Sequence, residues 1–253
     1  MTLATGCTNR SEMAGDVVLT WQKAYLAYPG GDRARRLTDD VMSRLHNSGR
    51  QYPVVLYMHG CTGIGNRELR FGQQLADAGF VFLAPDSMAR SFRPLQCDPK
   101  QQTGGQNLFV FDFRMAELSY ALNRLLDIAW ADSENLFLMG GSEGAVAAAL
   151  YRGSEFRARV LFQWTCQGAP LISGIEAPLD EPILAIVNQG DPWYDHDHTV
   201  GQSGHCGGFF GDRENSESMV LERLDTHDIL ALVEIRNKIQ RFMADLIKSN
   251  PTQ

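Results

Sequence analysis

A serine stands between small residues in the stretch GGSEG (residues 140–144), which fits the pattern G-x-S-x-G. The apolar run before it is typical of a buried strand, and the alanine-rich run after it is typical of a helix. A serine on a sharp strand-to-helix turn exposes its hydroxyl, and bulky neighbours there would collide with adjacent backbone. The pattern therefore predicts that Ser142 is a nucleophile, with an ordinary glycine-rich turn as the alternative.

A serine hydroxyl is a poor nucleophile, so the site needs a base. Of the six histidines, His227 lies between the last predicted strand and the last predicted helix, where a loop can bring an imidazole over a sheet edge. We therefore predict that His227 is the base. Four others lie in a polar loop or far from any predicted strand end: His46, His196, His198 and His205. The stretch DHDH (195–198) is a weak pattern for a metal site.

The base needs a group that orients its ring, and a carboxylate can do this while stabilising the charged imidazole. Asp191 follows the predicted strand that ends near Gln189. We predict that Asp191 holds the histidine in the required tautomer. Asp195 is the second candidate, and a turn role before Pro192 is the alternative for Asp191.

Acyl transfer also requires donors for a developing oxyanion. The loop HGCTG (residues 59–63) follows a long apolar run, and its glycines leave backbone N–H groups free to turn inward. We predict an oxyanion hole formed by the N–H of Glu143 and that of Cys61 or Thr62. His59 is predicted to fix this loop, with a direct role as the alternative. This chemistry requires no metal or organic cofactor.

The elements that position these residues alternate along the chain. Apolar runs predict strands at 52–60, 80–86, 135–139, 158–164, 182–189 and 218–224, and residues 16–29 are interpreted as an early antiparallel strand. Helical spacing predicts helices at 67–78, within 113–129, at 143–152 and along Leu232, Ile235, Ile239, Phe242 and Leu246. This alternation predicts a doubly wound, mostly parallel sheet, whose reactive groups lie beyond the carboxyl ends of its strands.

Length and composition limit the domain count and the partners. The chain has 253 residues and is 44% apolar, which suits one domain over 16–253 after a flexible segment at 1–15. Its net charge of -7 argues against nucleic-acid binding, which needs clustered basic residues. No apolar stretch approaches the roughly 20 residues that span a bilayer, so no transmembrane segment is expected.

Four stretches resemble the blocks of the dienelactone hydrolase family within the α/β-hydrolase superfamily. They are PVVLYMHGCTG, FVFLAPDSMARSF ending at Cys97, LFLMGGSEGA, and PILAIVNQGDPWYD followed by Cys206. The resemblance covers the chain from about residue 52 onward and implies a sheet of about eight strands with helices on both faces and no large cap domain. It also implies the roles of Ser142, Asp191 and His227, in that chain order.

The founding enzymes of this family use a cysteine where this chain has Ser142, and serine members resemble general carboxylesterases. The resemblance therefore implies a carboxylic ester hydrolase rather than one specific for dienelactone. Because the carboxylate of Glu143 would repel an anionic substrate, we expect a neutral ester or lactone. Aromatic residues beside the acid loop could form the substrate wall or simply pack: Trp193, Tyr194, Phe209 and Phe210. The alternatives are a catalytically silent binding protein, a peptidase or an acyltransferase of the same fold.

Similar family members often carry cysteines at the places of Cys61, Cys97, Cys166 and Cys206. The resemblance implies two pairings, Cys61 with Cys97 and Cys166 with Cys206, if the chain is exported. Cys7 then remains, and LATGC (residues 3–7) resembles the end of a bacterial lipoprotein signal, which suggests a lipid anchor; a frayed terminus is the alternative. We expect an exported or periplasmic protein over a cytosolic one with free thiols.

Overall fold

The computed structural model describes residues 10–93, 97–98, 103–104, 108–167, 172–191, 193–194, 204–222 and 226–248. The strands are β1 (Tyr25–Ala27), β2 (Arg35–Arg36), β3 (Tyr52–Met58), β4 (Val81–Ala84), β5 (Cys97–Asp98), β6 (Thr103–Gly104), β7 (Ala131–Gly141), β8 (Ala158–Phe162), β9 (Ile183–Asn188) and β10 (Glu217–Leu221). The helices are α1 (Arg10–Gln22), α2 (Asp39–Asn47), α3 (Asn66–Asp77), α4 (Leu108–Leu126), α5 (Glu143–Leu150) and α6 (Val233–Ala244).

Eight strands form one sheet in the order β10-β9-β8-β7-β3-β4-β1-β2. The six strands from β10 to β4 in this order are parallel to their neighbours, whereas β1 is antiparallel to both β4 and β2. Strands β5 and β6 form a separate antiparallel pair. The prediction of a mostly parallel sheet of about eight strands is confirmed.

The core lies on both faces of this sheet, which explains why β3 is almost entirely apolar. In β3, Val54, Leu56 and Met58 pack into one hydrophobic cluster, whereas Val55 and Tyr57 pack into the other. Successive side chains of a strand point to opposite faces, so both sets are buried. Residues of α1, α2, α4 and α5 contribute to the first cluster, and residues of α3 and α6 contribute to the second.

The prediction of a strand at 16–29 is wrong for most of that segment. Helix α1 extends to Gln22, and only Tyr25–Ala27 form a strand. Trp21 is 7% exposed and belongs to the first hydrophobic cluster, and α1 packs against α4. Tertiary packing therefore outweighs the strand preference of the β-branched residues in this segment.

The first helix, α1, begins at Arg10. Residues 1–9, which include Cys7, lie outside the described residues, and the lipid anchor stays a prediction. The division into a flexible segment at 1–15 and one domain at 16–253 also stays a prediction. Within the described part of the chain, none of the helices has the length and apolar character needed to cross a membrane.

Candidate active site

Ser142 occupies the junction between β7 and α5 in a strained backbone conformation. Its φ is 53° and its ψ is -121°, a region that non-glycine residues rarely adopt. Its N–H donates to the Phe162 carbonyl at the end of β8, at 2.8 Å. A Cβ at Gly144 would lie 2.0 Å from the Met58 carbonyl oxygen, and one at Gly140 would lie 2.4 Å from the Gly144 carbonyl oxygen. Glycine is therefore required on both sides of this turn, which we call the elbow (residues 140–144).

His227 and Asp191 are in direct contact at the carboxyl end of the sheet. The imidazole Nδ1 lies 2.6 Å from Asp191 Oδ2, and the carboxylate is 5% exposed. An Nδ1–H that donates to this carboxylate leaves Nε2 as the nitrogen that can take a proton. The Trp193 N–H donates to Asp191 Oδ1 at 3.0 Å, and the Trp193 ring lies 4.7 Å from the imidazole between centroids. Both the acid and the ring are thus held in place.

Ser142 lies at the same sheet edge as this pair. It follows β7 and Asp191 follows β9, with only β8 between these strands. Neighbouring strands are about 4.8 Å apart, so the two strand ends are about 10 Å apart, a gap that a histidine on a third loop can bridge. Among the described residues no hydrogen bond joins Ser142 Oγ to His227. Such hydrogen bonds are often long before substrate binds.

The loop HGCTG (residues 59–63) passes against the elbow. A Cβ at Gly60 would lie 3.3 Å from the Ser142 Cβ, so the absence of a side chain at Gly60 allows this close approach. The Gly63 N–H donates to the Gly60 carbonyl at 3.2 Å and closes the turn. Within the described part of the chain, the N–H groups of Cys61 and Thr62 donate to no acceptor, which leaves both free to meet a ligand.

His59, in the same loop, is fully buried. Its Nδ1 lies 2.7 Å from the Gly60 carbonyl oxygen, and its Nε2 accepts a hydrogen bond from the Ser87 N–H at 2.9 Å. Burial, together with the nearby Arg114 guanidinium, holds the pKa of the imidazole well below its ordinary value. The ring is therefore neutral and fixes the loop, which agrees with the structural role predicted for it.

Glu143 does not face the substrate side as the sequence-based argument assumed. Its carboxylate is 2% exposed and lies 2.5 Å from Arg93 Nη2 and 3.7 Å from Arg114 Nε. Burial raises the pKa of this carboxyl, and the two arginines oppose that shift. Glu143 is therefore not expected to repel anionic substrates, contrary to the sequence-based expectation, because its carboxylate is buried and paired with arginines.

Glu143, Arg93 and Arg114 belong to a larger group of buried charged residues, which the sequence did not predict. Arg114 and Glu117, both fully buried, form an ion pair at 3.0 Å on α4. Arg90 Nε lies 2.5 Å from the other Glu117 oxygen. The only sequence signal was the spacing of three residues between Arg114 and Glu117, which is common on exposed helices.

The predicted substrate wall divides into two pairs. Trp193 lies against the imidazole, and the Tyr194 N–H donates to the Asp191 carbonyl at 2.9 Å. Phe210 is 8% exposed within the first hydrophobic cluster, and Phe209 packs against that cluster. For the two phenylalanines the structure favours the packing alternative, because Phe210 belongs to this cluster and Phe209 packs against it.

The other histidines do not approach Ser142 through any described contact. His46 is exposed in the last turn of α2, and His205 Nδ1 accepts from the Gly207 N–H at 3.0 Å. His196, His198 and Asp195 lie outside the described residues. In the part of the chain that the structure describes, no group of three or more potential ligands could hold a metal ion.

Two disulfides flank the site. Cys61 is bonded to Cys97, with Cα atoms 5.9 Å apart, and this bond ties the HGCTG loop to β5. Cys166 is bonded to Cys206, with Cα atoms 4.9 Å apart, and this bond ties the loop after β8 to a short 3₁₀ helix. Export, which would favour such bonds, stays a prediction.

Several solved structures share this architecture. A phospholipase/carboxylesterase from Dyadobacter fermentans matches at 14% identity and a TM-score of 0.56, over 88% of this chain and 96% of that chain. A protein assigned as a dienelactone hydrolase from Klebsiella pneumoniae matches at 15% identity and a TM-score of 0.55, over 87% and 98%. An acylaminoacyl peptidase from Pyrococcus horikoshii matches at 13% and a TM-score of 0.51, over 91% and 40%.

No family model matches the chain, and a search of curated proteins finds no match. At these identities the structural likeness shows the fold and not the reaction. The chain has the α/β-hydrolase fold, as the resemblance implied, and the described residues include no large cap domain.

Proposed function

We propose that this protein is a serine hydrolase that cleaves a carboxylic ester or lactone through an acyl-enzyme. The observation that carries the proposal is the 2.6 Å contact between His227 Nδ1 and Asp191 Oδ2 at the sheet edge where the strained Ser142 lies. A nucleophile, an acid and a base in this chain order, on a sheet of this fold, are the components of acyl transfer. The structural neighbours named as a phospholipase/carboxylesterase and as a dienelactone hydrolase support the same class of reaction.

The proposed reaction uses two similar halves. His227 Nε2 takes the Ser142 hydroxyl proton while the oxygen attacks the carbonyl carbon of the substrate. When the tetrahedral intermediate collapses, the bond to the leaving oxygen breaks, and that oxygen takes the proton from His227. Water then attacks the acyl-enzyme with the same histidine as base, which releases the acid and restores Ser142. Asp191 holds the ring and stabilises its charged form.

The oxyanion of each intermediate needs hydrogen-bond donors that are already in place. We assign this role to the N–H of Glu143 and to that of Cys61 or Thr62. One support is that the N–H groups of Cys61 and Thr62 donate to no acceptor among the described residues. The other is the close approach of the two segments, since a Cβ added at Gly60 would lie 3.3 Å from the Ser142 Cβ. Loss of one such donor typically costs a few kcal/mol of transition-state stabilisation.

The experiment that tests this proposal compares wild type and Ser142→Ala on p-nitrophenyl acetate and butyrate. We expect turnover by wild type and loss of turnover in Ser142→Ala, with an unchanged circular dichroism spectrum and melting temperature. Ser48→Ala is the matched control, because Ser48 precedes β3 at the opposite edge of the sheet. Turnover that survives in Ser142→Ala would remove the nucleophile.

The same assay separates the alternatives. A panel of esters of graded acyl length and charge, with amide and thioester analogues, distinguishes an esterase from a peptidase or an acyltransferase. A catalytically silent binding protein would hydrolyse none of these compounds and would not react with a fluorophosphonate. Anionic esters belong in the panel, because the carboxylate of Glu143 is paired with Arg93 at 2.5 Å.

A further inference from the structure

The two halves of the proposed oxyanion hole lie on different segments of the chain. One donor belongs to the elbow, at Glu143, and the other belongs to the HGCTG loop, at Cys61 or Thr62. A shift of about 1 Å between such groups can lower a rate by about 10²-fold. Backbone hydrogen bonds of the sheet hold β3 beside β7 as far as the Met58–Gly140 pair, but both halves lie beyond that point. Something else must fix their separation.

The first connection between them is Arg114, which is fully buried on α4. Its Nη2 donates to the His59 carbonyl at 2.8 Å, so the guanidinium holds the start of the HGCTG loop. Its Nε lies 3.7 Å from Glu143 Oε1, so the same group reaches the elbow. Glu117 receives the third nitrogen, Nη1, at 3.0 Å and fixes the orientation of the guanidinium plane.

The second connection is Arg93, whose side chain is 6% exposed. Its Nη2 donates to Glu143 Oε1 at 2.5 Å, and its Nε donates to Ser87 Oγ at 2.8 Å. The Ser87 N–H in turn donates to His59 Nε2 at 2.9 Å. Arg93 therefore joins the elbow to the HGCTG loop through Ser87, parallel to the direct connection made by Arg114.

Both connections share one anchor on α4. Glu117 Oε1 accepts from the Ser87 hydroxyl at 2.9 Å, while its Oε2 accepts from Arg114 Nη1. Both connections also end at the same two residues, His59 and Glu143. A closed network of this kind resists movement of one segment relative to the other, because any shift must break charge-assisted hydrogen bonds of both arginines and the ion pair between Arg114 and Glu143 at once.

We propose that Arg93 and Arg114 are positioning residues that hold the two halves of the oxyanion hole at a fixed separation. The proposal rests on the proposed function and names a further requirement of the same site. The geometry requires arginine, because each guanidinium directs separate nitrogens to separate acceptors in a fixed plane. A lysine ammonium keeps the charge but cannot span the same two acceptors.

The test compares Arg114→Lys and Arg93→Lys with Arg159→Lys. Arg159 is a matched control, because it is equally buried and binds Glu181 at the other end of α5, away from Ser142. We expect kcat for p-nitrophenyl butyrate to fall by about 10²-fold in the first two variants, with little change in KM. In Arg159→Lys, measured on folded protein, kcat should match wild type.

A transition-state analogue provides a readout that a loss of stability would not move. A trifluoromethyl ketone forms an oxyanion in the site, so its inhibition constant should rise with the fall in kcat in Arg114→Lys and Arg93→Lys but not in Arg159→Lys. Wild-type inhibition constants in both variants would overturn the proposal. Ser87→Ala, which removes only the hydroxyl link of the second connection, should give a smaller rise of the same kind.

Hydrogen–deuterium exchange keeps the proposal testable apart from the esterase activity. We expect amides in peptides that cover residues 59–63 to exchange faster in Arg114→Lys than in wild type, and to be unchanged in Arg159→Lys. Wild-type exchange in Arg114→Lys would show that the guanidinium does not hold the loop, whatever the reaction. Failure of the proposed function would instead appear as turnover that survives in Ser142→Ala.

Discussion

A buried arginine–glutamate system lies at each end of α5, and the two systems differ in how fully their hydrogen bonds are satisfied. At the C-terminal end, every guanidinium nitrogen of Arg159 has an acceptor: Glu181 and the carbonyls of Ala148, Tyr151 and Gly153. At the N-terminal end, beside the nucleophile, Arg114 Nε and Glu143 Oε2 are buried without a hydrogen-bond partner among the described residues. Buried polar groups are normally satisfied, so the orphaned atoms mark the end where function rather than stability sets the arrangement.

The charges differ as well. The C-terminal system pairs one arginine with one glutamate, whereas the N-terminal system holds three arginines and two glutamates: Arg90, Arg93, Arg114, Glu117 and Glu143. When all are ionised, the second system has an excess of one positive charge below the elbow. In a buried setting this excess favours the negative charge that develops on the substrate during acyl transfer. Substitutions in the system at the N-terminal end of α5 should therefore change the reaction rate, whereas substitutions in the system at the C-terminal end should change stability.

The largest effect should follow from changing Asp191, the acid of the candidate site beside the N-terminal end of α5. Asp191→Asn keeps the shape of the side chain but favours the wrong tautomer of His227, and we expect kcat to fall by about 10⁴-fold. Glu181→Gln is the matched change at the C-terminal end of α5 and should leave the kcat of folded protein at the wild-type value. Steady-state kinetics on p-nitrophenyl butyrate measure both, and a loss of less than tenfold in Asp191→Asn would remove the acid from the account.

At the C-terminal end of α5, a substitution should lower the unfolding free energy and leave kcat unchanged. Arg159→Ala leaves the Glu181 carboxylate buried without its partner, which typically costs about 3–5 kcal/mol of unfolding free energy. Urea denaturation measures this loss, and kinetics below the transition should show a kcat close to wild type. A large fall in kcat with unchanged stability would contradict the division of roles between the two ends of α5.

The two disulfides extend the comparison to the loops. Removal of either bond should lower the unfolding free energy by about 2–4 kcal/mol, because the bonds close segments of similar length, with separations of 36 and 40 residues. Only Cys97→Ser releases the HGCTG loop, so it should lower kcat beyond Cys206→Ser. Equal kcat in the two variants, each measured on folded protein, would show that the bond at Cys61 stabilises the fold alone.

The smallest effect concerns pH and the buried His59. Burial is the main cause that holds the pKa of His59 in the folded protein well below the ordinary 6.5. Near that pH, His59 therefore takes up a proton only when the chain is unfolded. The unfolding free energy should therefore fall with decreasing pH below about 6.5, by at most about 1.4 kcal/mol per pH unit for this residue.

His59→Gln should reduce this slope between pH 7.5 and 5.5 in urea titrations, because the proton uptake by the unfolded chain is removed. Equal slopes in wild type and His59→Gln would show that the buried ring does not contribute.

Much of the fold could be predicted because its central strands are buried on both faces. The predicted runs at 52–60 and 182–189 contain β3 and β9, and the predicted helix at 67–78 differs from α3 by one residue at each end. Segment 16–29 failed because α1 is stabilised by its packing on α4, a contact that local periodicity does not reveal. Strand boundaries were less accurate, as in β7, which begins at Ala131 rather than at 135.

The site was predictable where chemistry depends on chain order and unpredictable where it depends on side-chain direction. Asp191 and His227, separated by 36 residues, were named as partners and lie in contact. The orientation of Glu143 depends on Arg93, 50 residues away, and on Arg114, neither of which carries a local motif. Whether Phe210 lines a pocket or fills the core depends on its packing in the first hydrophobic cluster, which spacing does not encode.

The central claim is that His227 activates Ser142, and the most direct measurement is the rate at which a fluorophosphonate labels the protein, with the modified residue mapped by mass spectrometry. We predict stoichiometric labelling at Ser142 in wild type and labelling at least about 10²-fold slower in His227→Gln. Labelling at a different residue, or labelling of Ser142 at the wild-type rate in His227→Gln, would contradict the account.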